Sequence, residues 1–380
     1  MQITSLINEI WLASGVMNFE YPQLLMVALS IFILVLAFKK KIAPLFLVPI
    51  GFGCLLANIP LANLADTDGL LGLVYLFGIQ TGLFPLLLLI ALGAMLDFGP
   101  LLSDPKVVFI SFAAQVSIFA VFGTALFLVN YFGFDFSLAD VSAISILGAF
   151  DGITAIFLAS RLGTEFISII ALFIYLYLGL LPIVQPVLIK LFTKETERTL
   201  EMKQLRHAGK LERILFPILI FLLGVFLLPQ TAPLLGALMF GNFLRECGKT
   251  TERLASAVQR ELYYVVVVLL GLGLGAKLQA ELFLTKEALA ILVLGLGAIV
   301  LGTFVGIVIV RIINLFTKNR INPIMGAAGF APFPVSAQIV NRVGLKNNPH
   351  NFLFMHAVGP NAAAILSSIL ISGIFLTLMR

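Results

Sequence analysis

The chain has 380 residues, of which 60% are hydrophobic and 11% are charged, and its formal net charge is +5. Soluble domains carry about 25% charged residues, so this composition excludes a soluble globular protein and predicts a polytopic membrane protein. Long apolar runs without strand-like alternation exclude an outer-membrane barrel and predict an all-α fold. The excess positive charge lies in loops, where it sets membrane orientation, and no nucleic-acid partner is expected.

The first predicted span covers about residues 22 to 38 and is followed by three lysines at 39 to 41. Because the residues before it are acidic and those after it are basic, the positive-inside rule places the N-terminus outside. A second span, at about 43 to 61, returns outward. Residues 70 to 96 are apolar but are interrupted by glutamine, glycine and proline. Asp97 follows them and either caps a helix or faces a cavity.

The stretch from 141 to 160 is apolar enough to cross a bilayer, yet Asp151 lies near its middle between Gly148 and Gly152. A carboxylate at that depth is costly unless it is neutralised, paired or facing a water-filled cavity. Glycines on both sides weaken the helix at the charge. The segment therefore predicts a broken membrane helix whose unwound backbone and carboxylate hold a cation. The alternative is a neutral aspartic acid hydrogen-bonded to a neighbouring helix.

The longest polar stretch covers residues 193 to 213 and contains six lysines and arginines, which predicts a cytoplasmic loop. Spans at about 107 to 130 and 165 to 192 precede it. Six single crossings that begin outside would leave this loop outside, so one segment must enter and leave on the same side. The interrupted stretches 70 to 96 and 141 to 163 are the candidates, because re-entrant backbone is tolerated where it is buried or lines a cavity.

The second half contains four further predicted spans, at about 211–228, 232–244, 262–276 and 286–311. Lys318 is one of the basic residues that mark the next loop as cytoplasmic. Residues 321 to 344 include three prolines and three glycines, so they cannot form one straight helix. The last span covers about 352 to 376. Cys54 and Cys247 lack metal-ligand spacing, so neither a disulfide nor a transition-metal site is predicted.

Three short matches relate the two halves in the same order: residues 52–53 to 240–241, 92–94 to 274–276, and 148–163 to 329–344. The loop charges predict that the chain crosses the membrane outward at residues 52–53 and inward at residues 240–241. The sequence therefore predicts an inverted repeat whose broken helices meet near the middle of the membrane; the alternative is chance similarity between apolar segments. The predicted organisation is an N-terminal span at 1–42, a first repeat at 43–192, a basic cytoplasmic loop at 193–213 and a second repeat at 214–380.

Asp151, Asn322 and Asn361 are the polar groups expected where the broken helices cross. Carboxylate, amide and freed backbone oxygens suit hard cations; sodium is the expected ion, although a proton on Asp151 would serve as well. Asn322 alternatively forms a plain turn with the following proline. Tyr177 is either a donor at the site or an interfacial anchor, and His356 is either a packing residue or a proton carrier. The sequence contains no Walker loop, so ATP hydrolysis is not expected.

These residues belong to longer motifs: Asp97 to Leu101, Asp151-Gly152, Tyr175 and Tyr177, Leu181-Pro182 with Gln185-Pro186, Phe240 to Asn242, Asn322 to Gly329, and Asn351 to Asn361. Over nearly the whole chain from about residue 43, they resemble the β subunit of the sodium-pumping biotin-dependent decarboxylases. That family includes the oxaloacetate, methylmalonyl-CoA and glutaconyl-CoA decarboxylases, with the membrane subunit of malonate decarboxylase as a relative.

The resemblance implies a mechanism and a set of partners. A biotin-carrying carboxyltransferase (alpha) subunit would deliver carboxybiotin from the cytoplasm, and the β subunit would decarboxylate it, consume a proton and export sodium. A small gamma-type membrane subunit, trimeric association, an elevator-like fold and the inner (plasma) membrane are also implied. The chain lacks a Met-Lys-Met biotin acceptor, so biotin is expected on the partner and not covalently bound to this chain.

The resemblance also implies roles for single residues. Asp151 is expected to be catalytic and a sodium ligand, and the further sodium contacts are expected at Tyr177, Asn322, Gly326 and Asn361. Supporting positions are expected at Asp97, Thr154, Gln338 and His356.

The sequence departs from the family pattern at four positions. Phe150 and Ile153 lie in the place of the usual Gly-Gly-Ala-Asp-Gly-Pro run, and Ala331 and Gln338 stand where a functional serine and arginine are common. A missing hydroxyl removes an ion ligand, and a missing arginine removes an anion partner. These departures motivate an alternative function, a secondary transporter that moves a cation with a small carboxylate without decarboxylation.

Overall fold

The apolar runs fold into helices, and the computed structural model, which describes residues 9, 11–317, 320–331 and 334–379, contains no β-strand in that part of the chain. The longer helices are α1 (Tyr21–Lys39), α2 (Pro44–Ala57), α3 (Leu70–Gln80), α4 (Leu83–Met95), α5 (Val107–Phe132), α6 (Leu138–Ala149), α7 (Gly152–Leu162), α8 (Ile167–Phe192), α9 (Lys210–Leu227), α10 (Ala232–Glu246), α11 (Glu252–Ala276), α12 (Lys286–Phe316), α13 (Pro334–Asn347) and α14 (Phe354–Leu378). Short helical turns lie at Gly15–Asn18, Gly99–Ser103, Glu195–Arg198, Pro229–Thr231, Gly248–Thr250, Ala280–Phe283 and Pro323–Gly329. The predicted all-α fold is confirmed.

Within the described residues, six helices are long and apolar enough to cross a membrane: α1, α5, α8, α11, α12 and α14. The pair α3 and α4 also meets this criterion, bent by 60° at the break between them. Because about 20 apolar residues span the hydrocarbon layer, the multi-pass membrane prediction is confirmed. α11 begins earlier than its predicted start at 262, because a π-helical turn at Val258–Leu262 carries the helix through its charged residues.

The predicted break at Asp151 separates α6 from α7. α6 ends in a tight helical turn, after which Phe150 adopts a left-handed conformation with φ of 53°. Asp151 then caps the first turn of α7. A left-handed residue with a Cβ stops a right-handed helix, so the chain changes direction immediately before the carboxylate.

A second break lies in the stretch from 321 to 344. Asn322 caps the helical turn at Pro323–Gly329, and α13 begins separately at Pro334. The prediction that this stretch is not one straight helix is confirmed. Lys318 of the preceding loop and Pro332 within the break lie outside the described residues.

Two helix pairs pack backbone against backbone through glycine. A Cβ added to Gly53 of α2 would lie 2.3 Å from the carbonyl oxygen of Leu272 in α11. A Cβ added to Gly93 of α4 would lie 1.9 Å from the carbonyl oxygen of Leu238 in α10. Neither position has room for a side chain, which is the way small residues let membrane helices approach closely.

Residues 193–209, called the basic strap below, fold back onto the helix ends. The Asn322 side-chain amide donates to the carbonyl oxygens of Arg198, at 3.2 Å, and Leu200, at 2.9 Å. The Asn351 side-chain amide donates to the same Leu200 oxygen at 2.9 Å. The strap is therefore attached both to the second break and to the segment that leads into α14.

Candidate functional site

Asp151 is 4% exposed and is held by donors from two helices. Its Oδ1 accepts from the Thr154 backbone N–H at 3.1 Å, and its Oδ2 accepts from the Thr154 hydroxyl at 2.6 Å. The Ser368 hydroxyl of α14 also donates to Oδ2. All three donors are uncharged, so they orient the carboxyl group without supplying an opposite charge. The contact with α14 also matches the alternative of a neutral aspartic acid hydrogen-bonded to a neighbouring helix, and cation binding stays a prediction.

Ser368 is a site residue that the sequence reasoning missed. It is fully buried and lies beside Ser367, which is 1% exposed, in an otherwise apolar part of α14. The available signal was the pair of adjacent serines within a membrane span. That signal does not identify which serine faces Asp151, because the contact joins residues 217 positions apart.

Asn361 lies at the second break, as the sequence predicts. Its side-chain amide donates to the carbonyl oxygens of Ala328, at 3.2 Å, and Ala331, at 2.7 Å, and the side chain is 2% exposed. Backbone that leaves a helix inside a membrane needs such partners for its carbonyl groups. Because Asn361 and Ser368 belong to the same helix, α14 contacts both breaks.

Two glutamines support the same broken segment from other helices. The Gln185 amide of α8 donates to the Ala327 carbonyl oxygen at 2.9 Å, and the Gln115 amide of α5 donates to the Gly329 carbonyl oxygen at 3.4 Å. Both side chains are fully buried. In the sequence, Gln185 stands out only as part of a motif and Gln115 has no distinguishing signal, because the local sequence shows the partner of neither residue.

The two breaks approach each other through aromatic side chains. The rings of Phe150 and Phe330 have centroids 5.1 Å apart, and the rings of Phe150 and Tyr177 have centroids 5.6 Å apart. The Tyr177 hydroxyl donates to the carbonyl oxygen of Leu292 in α12. Tyr177 therefore lies beside the Asp151 break, while its own donor is directed to another helix.

Asn322 and Gly326 have mainly structural contacts. The Asn322 side-chain oxygen accepts from the backbone N–H of Ile324 at 3.1 Å, while its amide binds the basic strap. Gly326 packs on α12, where an added Cβ would lie 1.9 Å from the Gly306 carbonyl oxygen. The alternative that Asn322 forms a turn with its proline matches this geometry, and sodium binding at both residues stays a prediction.

Asp97 lies two residues before a short helical turn and also faces a cavity. Its Oδ1 accepts from the Gly99 backbone N–H at 2.8 Å, while Phe98 is the N-terminal cap residue of the turn at Gly99–Ser103. Its Oδ2 lies 3.2 Å from the Arg245 guanidinium, and Oδ1 lies 3.7 Å from that of Arg213. It also lines a cavity of about 420 Å³ beside the basic strap.

That cavity brings together the three histidines of the chain, His207, His350 and His356. His356 thus faces this cavity and is half-buried. Gln338, by contrast, is exposed on α13. Of the predicted supporting residues, Thr154 alone binds Asp151 directly, through the two hydrogen bonds described above.

Comparison with known proteins gives one consistent family. The family profile described as the Na+-transporting oxaloacetate decarboxylase beta subunit matches residues 22–379. Oxaloacetate decarboxylase beta chain 2 of Salmonella typhi is 39% identical, with 97% of this chain and 98% of that protein covered. The beta chain of Klebsiella pneumoniae is 38% identical with the same coverage. Methylmalonyl-CoA decarboxylase subunit beta of Veillonella parvula is 39% identical, with 99% and 97% covered.

Proposed function

Because the chain belongs to the family of Na+-transporting oxaloacetate decarboxylase beta subunits, and is therefore a decarboxylase subunit that acts within a membrane complex, we propose that Asp151 couples the decarboxylation of carboxybiotin to the export of sodium ions. The names of the relatives favour this function over a secondary transporter without decarboxylase activity. The main support for this role is the location of Asp151 at a helix break, where the side chain is buried and accepts hydrogen bonds from three uncharged donors.

Sodium is the transported ion in this proposal. The Asp151 carboxylate supplies the negative ligand that offsets the charge of a dehydrated cation. Thr154 and Ser368 hold the carboxylate in one orientation, and the Asn361 amide keeps the neighbouring break open by occupying its carbonyl oxygens. Tyr177 stays a proposed contributor to a second sodium contact.

Biotin is proposed on a partner subunit, where it supplies the labile carboxyl group. The cavity beside the basic strap is lined by Arg206, Arg213 and His207 and also by Asp97 and Glu201, and its volume of about 420 Å³ is in the range of small-molecule pockets. In this proposal, the carboxylate of carboxybiotin binds Arg206 and Arg213 in competition with Glu212 and Glu246, with which the two arginines are paired in the structure. His207 and His350 supply polar contacts at the same wall.

We further propose that the fold is an inverted repeat with elevator-like movement, with repeats at 43–192 and 214–380. The glycine contacts support the inverted repeat. A Cβ on Gly275 would lie 2.1 Å from the Ile50 carbonyl oxygen, and a Cβ on Gly93 would lie 1.9 Å from the Leu238 carbonyl oxygen. The sequence matches pair Gly275 with Gly93, and the offset between residues 52–53 and 240–241 also aligns Ile50 with Leu238. Each contact therefore has a counterpart in which the two halves exchange roles.

The proposed partners are a biotin-carrying alpha subunit, a small gamma-type membrane subunit and further copies of this chain in a trimer. The proposed location is the inner membrane with the N-terminus outside. Docking of the alpha subunit on the basic loop at 193–213 is testable by replacing its lysines and arginines with glutamine. The expected result is weaker co-purification of the biotin-bearing subunit, and unchanged co-purification would contradict docking there.

The central proposal is tested with Asp151→Asn. The substitution keeps the size of the side chain and removes the charge that offsets a cation. Sodium stabilises the native state by RT ln(1 + [Na⁺]/Kd), so the rise in melting temperature on exchanging choline chloride for sodium chloride should be reduced or lost. Sodium-stimulated decarboxylation by the complex should fall with it.

Asp140→Asn is the matched control. Asp140 is also buried and caps the preceding helix, where its Oδ2 accepts from the Ser137 backbone N–H at 2.9 Å. We expect a lower melting temperature with an intact sodium-dependent shift. If Asp151→Asn keeps the full shift, Asp151 does not hold the ion and the proposed role is wrong.

A further inference from the structure

An elongated apolar cavity of about 340 Å³, called the slot below, lies between α5, α9 and α14. One face of α9 lines it from end to end, at Phe216, Ile220, Leu223, Gly224 and Leu227. The helix rises about 16 Å between the first and the last of these residues. One leaflet of the hydrocarbon layer is about 15 Å thick, so the slot is as long as one leaflet is deep.

The slot has a closed floor and an open rim. Leu235 and Ala363 form part of the floor, and both are buried. Phe112 and Leu227 lie on the rim, and both are exposed. Because α5 is one of the membrane-spanning helices, its exposed apolar side chains face lipid. The slot therefore opens sideways into the hydrocarbon layer.

The shape and chemistry of the slot restrict what fills it. Among the described residues that line it, Ser367 has the only polar side chain, and its hydroxyl donates to the Ala363 carbonyl oxygen of the same helix. Water finds no partners on such a wall. A helix of another chain is about 10 Å across with its side chains, so over the length of the slot it needs several times the volume. A single acyl chain is apolar, flexible and narrow enough to enter.

One end of the slot carries a free positive charge. At this end the rings of Phe98 and Phe216 have centroids 5.0 Å apart, and Pro105 lines the wall. Lys106 follows Pro105, is exposed, and has no hydrogen bond or ion pair within the described part of the chain. Asp104, on the other side of the proline, is half-buried and within electrostatic range of His356. The ammonium group of Lys106 is thus available to an anion at the mouth of the slot.

We propose that the slot binds one acyl chain of a membrane phospholipid with an anionic head group, and that the phosphate lies beside Lys106. Lysines at a membrane surface attract anionic lipids, and the open rim admits the chain directly from the bilayer. The acyl chain packs against Ser367, next to the Ser368 that reaches Asp151. The bound lipid therefore supports the stretch of α14 that holds the carboxylate. This inference is independent of sodium transport.

The test is a melting series with defined lipids. The full-length chain is purified, stripped of lipid in detergent and mixed with micelles that contain dioleoyl phosphatidylglycerol or dioleoyl phosphatidylcholine. A lipid that binds the native state raises the melting temperature. We expect a clear rise with phosphatidylglycerol, a smaller one with phosphatidylcholine, and one retained phosphatidylglycerol per chain in native mass spectrometry. Equal rises would overturn the head-group assignment, and no rise with either lipid would overturn the site.

Ala363→Leu fills the slot from its floor. The variant should lose the rise with phosphatidylglycerol, and its melting temperature without lipid should not fall, because the new side chain occupies empty space. Ala28→Leu is the matched control, since Ala28 is exposed on α1 and does not line the slot. It should keep the full rise. If Ala363→Leu does not fold, Leu223→Trp covers the slot from its exposed rim and should show the same loss. A full rise in the filled variant would overturn the site. A changed oligomeric state with an intact rise would assign the slot to a contact between chains and also overturn it.

Lys106→Gln tests the head group. The rise with phosphatidylglycerol should shrink to that seen with phosphatidylcholine, whereas Lys40→Gln, at another exposed lysine beside a membrane span, should leave it unchanged. Equal reductions in the two variants would assign the effect to general surface charge and overturn the contact with Lys106.

Discussion

Position 151 has a carboxylate at a depth where charge is costly, and uncharged donors offset part of that cost. Hydrogen bonds to a charged group are each worth about 1.5–3 kcal/mol. Two of the three come from Thr154 within the same helix turn, and the third comes from Ser368 on α14. The third bond alone links the carboxylate to another helix, so it fixes where the carboxylate lies relative to α14.

Ser368→Ala is therefore expected to weaken sodium binding. The variant loses one of the three donors that orient Asp151, and we expect the half-saturation concentration for sodium to rise roughly tenfold, which corresponds to about 1.4 kcal/mol. The measurement is the sodium dependence of the melting temperature.

Ser367→Ala controls for loss of a buried hydroxyl. The Ser367 hydroxyl donates at 2.9 Å to Ala363 within its own helix. Its sodium response should match that of the unmodified protein. Equal weakening in the two alanine variants would show that the contact between Ser368 and Asp151 has no specific effect on the ion.

Among the helices, the second break depends on a close contact with α12. A Cβ on Gly306 would lie 2.2 Å from the Gly326 carbonyl oxygen, so the broken segment lies directly against the helix backbone. Small residues permit such contacts between membrane helices. The position predicted as a sodium contact, Gly326, is thus also a packing position, and its substitution would combine two effects.

Gly306→Ala tests the packing alone. The new methyl group must push the broken segment away, and overpacking of this kind costs about 1–3 kcal/mol. The melting temperature should fall. Gly297→Ala is the control on the same helix, because Gly297 is exposed and nothing lies within 4 Å of an added Cβ.

At that open position, alanine should stabilise the helix by about 0.5–1 kcal/mol. The two substitutions are therefore expected to move the melting temperature in opposite directions. A fall of the same size in both would mean that helix α12 does not tolerate alanine for reasons unrelated to the contact with the break.

Over the whole molecule, the basic strap joins helix ends that are far apart in the chain. Arg311 at the end of α12 donates to both carboxylate oxygens of Glu197, at 2.7 Å and 2.8 Å. It also donates to the Phe192 carbonyl oxygen at 2.6 Å, at the end of α8. The Arg311 guanidinium holds the pKa of the Glu197 carboxyl below its ordinary value. The attachment of the strap to α12 therefore depends on the charge of the Glu197 carboxylate.

The lowered pKa of Glu197 predicts how the attachment responds to pH. Stability from a lowered carboxyl pKa is present above the unfolded value, about 4.3, and is lost as the pH falls through the folded value. Glu197→Gln should therefore lower the melting temperature at pH 7, by roughly 1 kcal/mol in stability because the pair is partly exposed to solvent. The difference from the unmodified protein should shrink below about pH 4.

Glu195→Gln is the control, since Glu195 is exposed on the same helical turn. It should leave the melting temperature close to that of the unmodified protein at both pH values. A difference for Glu197→Gln that stays constant from pH 7 to acid would contradict the assignment to the ionised pair with Arg311.

Local patterns in the amino-acid sequence predict the membrane class, the approximate positions of the helices and the two breaks. These are local properties: a long apolar run must be helical in a bilayer, and a carboxylate between glycines or a cluster of prolines interrupts such a run within a few residues. Asp151 and Asn361 are predicted site residues for the same reason, because both are polar groups in apolar surroundings. The resemblance of the motifs determined the family, which the comparisons confirm.

The tertiary structure decided which polar groups meet. Ser368 reaches Asp151 across 217 residues, and Gln115 reaches Gly329 across 214. The side-chain amide of Asn322 donates to carbonyl oxygens of the basic strap, and sodium binding at this residue stays a prediction. Such pairs follow from the way helices pack against one another, through glycine contacts and bends, and a hydrophobicity pattern records only that a side chain is polar. Its partner is set by the arrangement of helices that no single segment specifies.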